Sequence, residues 1–168
     1  HIIPPLKQYD LGLLSEELKD DSSRFKKDFF WCIDPLDGTL PFTEQIEGYA
    51  VSIALVSKEG VPVLGVVYNP VRNDLYTCIQ GDGVFKNGEP INIKPSKTKF
   101  TFVTDRSFTE SNEYDSFVST LKEKAKSRGV NQFQIISRGG ASMNAIWVLE
   151  NAPAAYIKPP KNQLGGGG

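Results

Sequence analysis

"YAVSIALVSKEGVPVLGVVYNPVRNDLYTCIQGDGVFKNGEPI", residues 49–91, decides the fold. Two β-branched runs, 49–57 and 61–69, are joined by "KEG", a connection short enough for a hairpin. A further strand is expected over 74–80, after the turn-forming "NPVRND". Residues 81–91 carry three glycines, each beside a polar residue, and read as turns around a short strand. Connections this short admit only antiparallel pairing. The stretch is therefore an antiparallel meander with one covered face.

Outward on the N-terminal side lies "FFWCIDPLDGTLPF", residues 29–42. Residues 28–33 form a continuous apolar, aromatic run, expected as a fully buried strand ending at Asp34. On the C-terminal side the texture changes after about residue 95. Residues 99–105 are strand-like, and 109–129 form the clearest helix. Ser111 or Asn112 suits its cap, Glu113 and Asp115 its first turn, three lysines its end, and Gly129 its stop. Tyr114, Phe117, Leu121 and Ala125 give it one apolar stripe. A short strand at 133–137, a helix at 139–152 and a strand at 152–160 follow. The expected organisation is a first lobe over 1–95 and a second α/β lobe over 96–168. The fold class is α+β or layered α/β.

Composition narrows the function. The 168 residues suffice for a real core. Nineteen basic and twenty acidic side chains leave a net charge of -1, with signs interspersed, so no nucleic acid polymer is expected as partner. No apolar run is long enough to span a membrane, and no signal-peptide pattern opens the chain. Cys32 and Cys78 read as reduced core residues of a cytoplasmic protein. His1 is the only histidine, which argues against nucleophilic catalysis that needs an imidazole beside the nucleophile. Any metal held here would be hard and oxygen-ligated.

Residues 34–39 are the chemical focus. Proline keeps the preceding Asp34 extended and fixes its own φ to begin a turn. Asp37 can then return toward Asp34, and two carboxylates within about 4–6 Å repel unless a cation lies between them. Gly38 permits close approach to a ligand, and if a helix starts there the N–H groups of Gly38 and Thr39 face an anion. The same residues equally suit a type I turn with Asp first and Pro second. Upstream, "LGLLSEE" (11–17) is a second apolar run ending in acids, Glu16 and Glu17. It suits either a third metal ligand or a helix start capped by Ser15.

"LLSEE" followed by "WCIDPLDGT" and the 49–91 meander resembles the inositol monophosphatase family of magnesium-dependent, lithium-sensitive sugar phosphatases. The likeness runs over most of residues 11–157. It implies the αβαβα sugar-phosphatase fold, magnesium as cofactor, a small-molecule phosphomonoester as substrate and a homodimer. By residue, it implies that Glu16 ligates metal and activates water, that Asp34 bridges two metals, that Leu36 offers its carbonyl and that Asp37 ligates the second metal. Gly38 and Thr39 would hold phosphate through backbone N–H groups, with Thr39 also touching the attacking water. The implied reaction is in-line attack by metal-activated water, without a phosphoenzyme. Gly140, Ala141 and Ser142 would line the substrate alcohol, or equally serve tight helix packing.

The sequence departs from the family pattern in three places. It opens almost on the Glu-Glu segment, where the family has a preceding helix pair. It stops at "KNQLGGGG", short of the Trp-Asp segment that supplies a third metal aspartate, so a fragment with a weakened metal site is expected. It places Lys158 where inositol phosphatases commonly have an acid. That lysine suits a second anionic group, as in a 3'(2'),5'-bisphosphate nucleotidase of the same superfamily, or a solvated strand end. A non-catalytic divalent-ion-binding fragment is the alternative of another class.

Overall fold

A computed structural model describes residues 6 and 8–159. His1 and the terminal "KNQLGGGG" lie outside the described residues. The chain forms two compact units. His1–Asp37 and Ala50–Ile91 make the first, and Gly38–Tyr49 and Asn92–Gly168 the second.

The first unit is a seven-stranded sheet in the order β1 to β7. Its strands are β1 (Gly12–Ser15), β2 (Phe29–Asp37), β3 (Ala50–Ser57), β4 (Pro62–Asn69), β5 (Asp74–Ile79), β6 (Gly83–Lys86) and β7 (Glu89–Pro90). β1 pairs parallel with β2, and every later pair is antiparallel. The meander expected from 49–91 is therefore present, with two short strands, β6 and β7, where one was expected. Its turns have local causes: Gly60 at φ +83° closes β3 to β4, and Asn87–Gly88, both at positive φ, make the tight link from β6 to β7.

Three expectations change here. β2 does not stop at Asp34 but continues to Asp37, absorbing Pro35 in a register shift. Asp34 faces Ser52 and Asp37 faces Ala50, so two residues, Pro35 and Leu36, stand against Val51 alone. That is a β-bulge, which tolerates a proline that regular ladder pairing would not. β2 is also half-buried rather than fully buried, with Ile33 alone deep in the core. Finally, Cys78 is exposed and Cys32 half-exposed, so neither is a sealed core residue; both are free thiols.

The second unit is built on a three-stranded parallel sheet in the order β10-β8-β9. The strands are β8 (Lys99–Thr104), β9 (Gln132–Ile136) and β10 (Ala154–Ile157). The helices are α1 (Thr39–Thr43), α2 (Arg106–Thr109), α3 (Tyr114–Lys126) and α4 (Ala141–Glu150). α3 links β8 to β9, and α4 carries the chain from β9 to the other side of β8. Alternate strands and helices with a central β8 give the layered α/β class read from the sequence.

β8 is the best-buried strand, with Thr101 to Thr104 all inside. Phe102, Phe108 and Val118 form the core, and Tyr114, Phe117 and Leu121 of the expected stripe pack against it. Val118 was not on that stripe. α3 begins at Tyr114 with Glu113 at its N-cap and no capping side chain, so the Ser111 and Asn112 cap is not used. Gly129 at φ +85° ends the helix as expected. Among the described residues no helix is long and apolar enough to cross a membrane. Phe102→Ala is expected to destabilise the protein by about 3–5 kcal/mol in urea unfolding, whereas Val71→Ala, at an exposed turn, stays within about 0.5 kcal/mol of wild type.

Candidate functional site

In the first unit, the parallel pairing of β1 with β2 brings two acids to one strand end. Ser15 stands opposite Ile33, and the Glu16 N–H donates to the Ile33 carbonyl at 3.3 Å. Glu16 thus leaves β1 beside Asp34. The Asp34 carboxyl accepts the Leu36 N–H at 3.0 Å, which fastens the bulge on itself. Partial burial pushes the Asp34 carboxyl above its ordinary value; the Leu36 amide opposes this, and the charges of Glu16 and Asp37 and a hydrogen bond with Glu16 add to it. A carboxyl-to-carboxyl hydrogen bond needs a proton on one partner. Glu16 and Asp34 are thus brought together, with Asp37 in electrostatic reach. The Ser15 hydroxyl, buried at the same strand end, has no hydrogen-bond partner.

This donor set consists of oxygens only, which suits a hard divalent ion. Among the described residues no three His, Cys, Asp or Glu side chains stand as a ready metal cage. Glu16 and Asp37 gather around the half-buried Asp34. The set fits a cation, which would relieve the repulsion among them.

In the second unit, Gly38 to Pro41, Arg106 and Ser137 to Gly140 line a cavity of about 210 Å³. It lies beyond the carboxyl ends of β8 and β9, next to the central strand, where parallel sheets commonly hold ligands. Gly38 caps α1 at φ +86°, and an added Cβ would come within 2.7 Å of the Gly48 carbonyl oxygen. Thr39 is exposed at the first position of α1. The Gly140 N–H donates to that same Gly48 oxygen at 2.7 Å. So Gly140 contributes a wall to the cavity while its N–H is engaged within the fold. Ala141 and Ser142 open α4 without lining the cavity.

The cationic side chains of this cavity went unremarked in the sequence. Arg106 forks onto Glu44 at 2.6 and 2.8 Å, and this hydrogen-bonded pair holds the Glu44 carboxyl below its usual value. Arg138 reaches Glu47 at 3.6 Å and lies 4.6 Å over the Trp147 ring. Lys158 is 3.4 Å from Asp105, which also accepts the Tyr156 hydroxyl at 2.6 Å. The legible signal was "TDRS": Asp105 and Arg106 are charged residues that directly follow the strand-like run of β8.

The profile of the inositol monophosphatase family matches residues 7–163. An inositol monophosphatase 3 of Solanum lycopersicum is 48% identical over 63 residues, 38% of this chain and 23% of its own length. An inositol-1-monophosphatase of Caulobacter vibrioides is 34% identical over 123 residues, 70% of this chain and 46% of its own. The crystal structure of CysQ from Bacteroides thetaiotaomicron, a bacterial member of the inositol monophosphatase family, superposes with a TM-score of 0.71 at 30% identity. That match covers 89% of this chain and 59% of the other. The chain thus spans half or less of the length of these curated relatives.

Two outcomes are expected. Because the Asp34 carboxyl is raised above its ordinary 3.8, the folded state holds that proton more tightly than the unfolded chain. Stability then falls as pH rises through this window and stays lower above it. Asp34→Asn keeps the acceptor for Leu36 and removes the charge, so in chelator at pH 7 it should melt above wild type, with the gain vanishing below pH 3.8. Gly38→Ala should lose about 1–2 kcal/mol from the left-handed backbone alone, read by denaturant unfolding.

Proposed function

The chain belongs to the inositol monophosphatase family, and from that premise we propose that it carries the metal-binding and phosphate-binding parts of a magnesium-dependent phosphomonoesterase. The substrate is an inositol monophosphate or a similar polyol phosphate. The observation that carries the reading is the half-buried Asp34 carboxyl with Glu16 and Asp37 gathered at it: burial first, then the charges of those two acids, raise it, and a cation would relieve both.

In this reading Glu16, Asp34, Asp37 and the Leu36 carbonyl hold the cation. When bound, the ion supplies Lewis acidity and charge neutralisation at the phosphoryl group. Glu16, exposed beside the turn, accepts the proton of the attacking water. Gly38 and Thr39 orient the phosphate through backbone N–H groups, and the Thr39 hydroxyl orients the water. Gly140 forms part of the wall beside the substrate alcohol, with Ala141 and Ser142 following it. A homodimer and a cytoplasmic setting belong to the same reading.

A second reading has one observation in its favour. Two guanidinium groups, Arg106 and Arg138, line the second-unit cavity. They suit a substrate with a further anionic group, as in a 3'(2'),5'-bisphosphate nucleotidase, where that group displaces the Glu44 and Glu47 carboxylates now paired with them. Lys158, which first motivated that reading, is engaged by Asp105. A non-catalytic ion-binding role is the remaining alternative.

Phosphate release from inositol 1-phosphate and adenosine 3',5'-bisphosphate, each with magnesium, separates these readings. Preference for the inositol ester supports the first, preference for the nucleotide the second. Magnesium binding by calorimetry without turnover of either ester points to the ion-binding role. Asp34→Asn should lower turnover at least about 100-fold and abolish the calorimetric signal; an unchanged signal would remove Asp34 from the site.

A further inference from the structure

We propose that Asn144 is a positioning residue for the second-unit cavity: its side-chain amide ties the carboxyl end of β8 to that of β9 and so sets where Gly139 and Gly140 stand. This rests on the phosphatase reading only in what the cavity binds; the tie itself stands on geometry.

Asn144 is fully buried in the first turn of α4. A buried amide is costly unless its hydrogens are used, and an apolar side chain of the same shape would fill the position without that cost. Packing alone therefore does not call for asparagine. Both of its N–H donors find acceptors: Asp105 at 3.2 Å and the Gly139 carbonyl at 3.2 Å. Because both partners are acceptors, the amide has one sensible orientation. Its Oδ1 has no hydrogen-bond partner. That oxygen lies 2.6 Å from where a Gly139 Cβ would be, and the Trp147 ring lies 2.5 Å from the same point. Gly139 is thus pressed onto the amide, and no other residue fits there.

Asp105 is itself held, by the Tyr156 hydroxyl at 2.6 Å and by Lys158 at 3.4 Å. Its carboxylate is therefore a fixed post rather than a free surface charge. From that post the tie runs through Asn144 to Gly139, and the next residue, Gly140, donates to the Gly48 oxygen at 2.7 Å. The same oxygen limits the space at Gly38, with 2.7 Å to an added Cβ. The two glycine walls of the cavity therefore meet on one carbonyl, and Asn144 sets the height of one of them.

The test uses Asn144→Leu, Asp105→Leu and Asp105→Asn. Asp105→Asn keeps an oxygen to accept the Asn144 N–H and the Tyr156 hydroxyl, and gives up the charge with its Lys158 pair. Two readouts are taken on each: hydrogen exchange of the Gly140 amide, and KM against kcat for inositol 1-phosphate with magnesium. Asn144→Leu and Asp105→Leu should each speed Gly140 exchange about tenfold and raise KM about tenfold, with a smaller change in kcat, while unfolding stays cooperative. Asp105→Asn should stay near wild type in both. Wild-type exchange and KM in Asn144→Leu would overturn the proposal, as would equal damage from Asp105→Asn and Asp105→Leu. If Asn144→Leu does not fold, the Asp105 pair decides. If the wild-type chain turns over no ester, the phosphatase reading fails, and Gly140 exchange still decides the positioning role.

Discussion

Mutual repulsion among carboxylates at the end of β2 is the constraint on which the account depends. Parallel pairing with β1 delivers Glu16 beside Asp34, and the bulge at Pro35–Leu36 keeps Asp37 in electrostatic reach. A fold gains nothing in stability from such crowding. Asp34 gives up its proton less readily than an ordinary aspartate, so the folded chain is less stable at neutral pH than it would be with a neutral side chain there. Strain of this kind is tolerated where a ligand relieves it, and an all-oxygen donor set would suit a hard cation in that part.

The second unit solves a different problem, that of bringing backbone segments close to one another around a cavity. It does so with glycines whose side-chain space is already filled by other atoms. Gly38 is confined by the Gly48 carbonyl and Gly139 by Asn144 and Trp147. The parallel order β10-β8-β9 places the polar residues that follow β8 and β9 at one edge of the sheet. Arg106, Arg138 and Asp105 all follow from this topology, each directly or nearly after a strand. Their charges are matched within the unit, by Glu44, Glu47 and Lys158 respectively. The cavity is therefore polar without carrying a large unbalanced charge.

Much of this was legible in the sequence. The meander could be read from short turns, and the second lobe from alternating strand and helix periods. Position-specific glycines such as Gly129 and the Asn87–Gly88 pair carry their own conformational reason. The acidic focus at Asp34 and Asp37 was legible too, as was the family. Three features were not. Proline read as the end of a strand, because a bulge depends on the partner strand and not on local sequence. Cys78 read as core, because it shares a face of β5 with the buried Tyr76, and alternation does not say how far along the strand the cover on that face extends. The Asp105 post was hidden because Asn144, Tyr156 and Lys158 lie 39 to 53 residues beyond it, and only the crossover of α4 brings them back.

Titration of the Asp34 carboxyl carbon by NMR, with and without magnesium, tests the central claim most directly. Without metal the carboxyl should titrate above 3.8, the ordinary aspartate value, and Asp37→Asn should bring it down. Saturating magnesium should shift the transition well below its metal-free position, because a cation bound beside the carboxylate favours its charged form. A carboxyl that titrates at the ordinary value in chelator, or a raised one that magnesium leaves unmoved, would contradict the account.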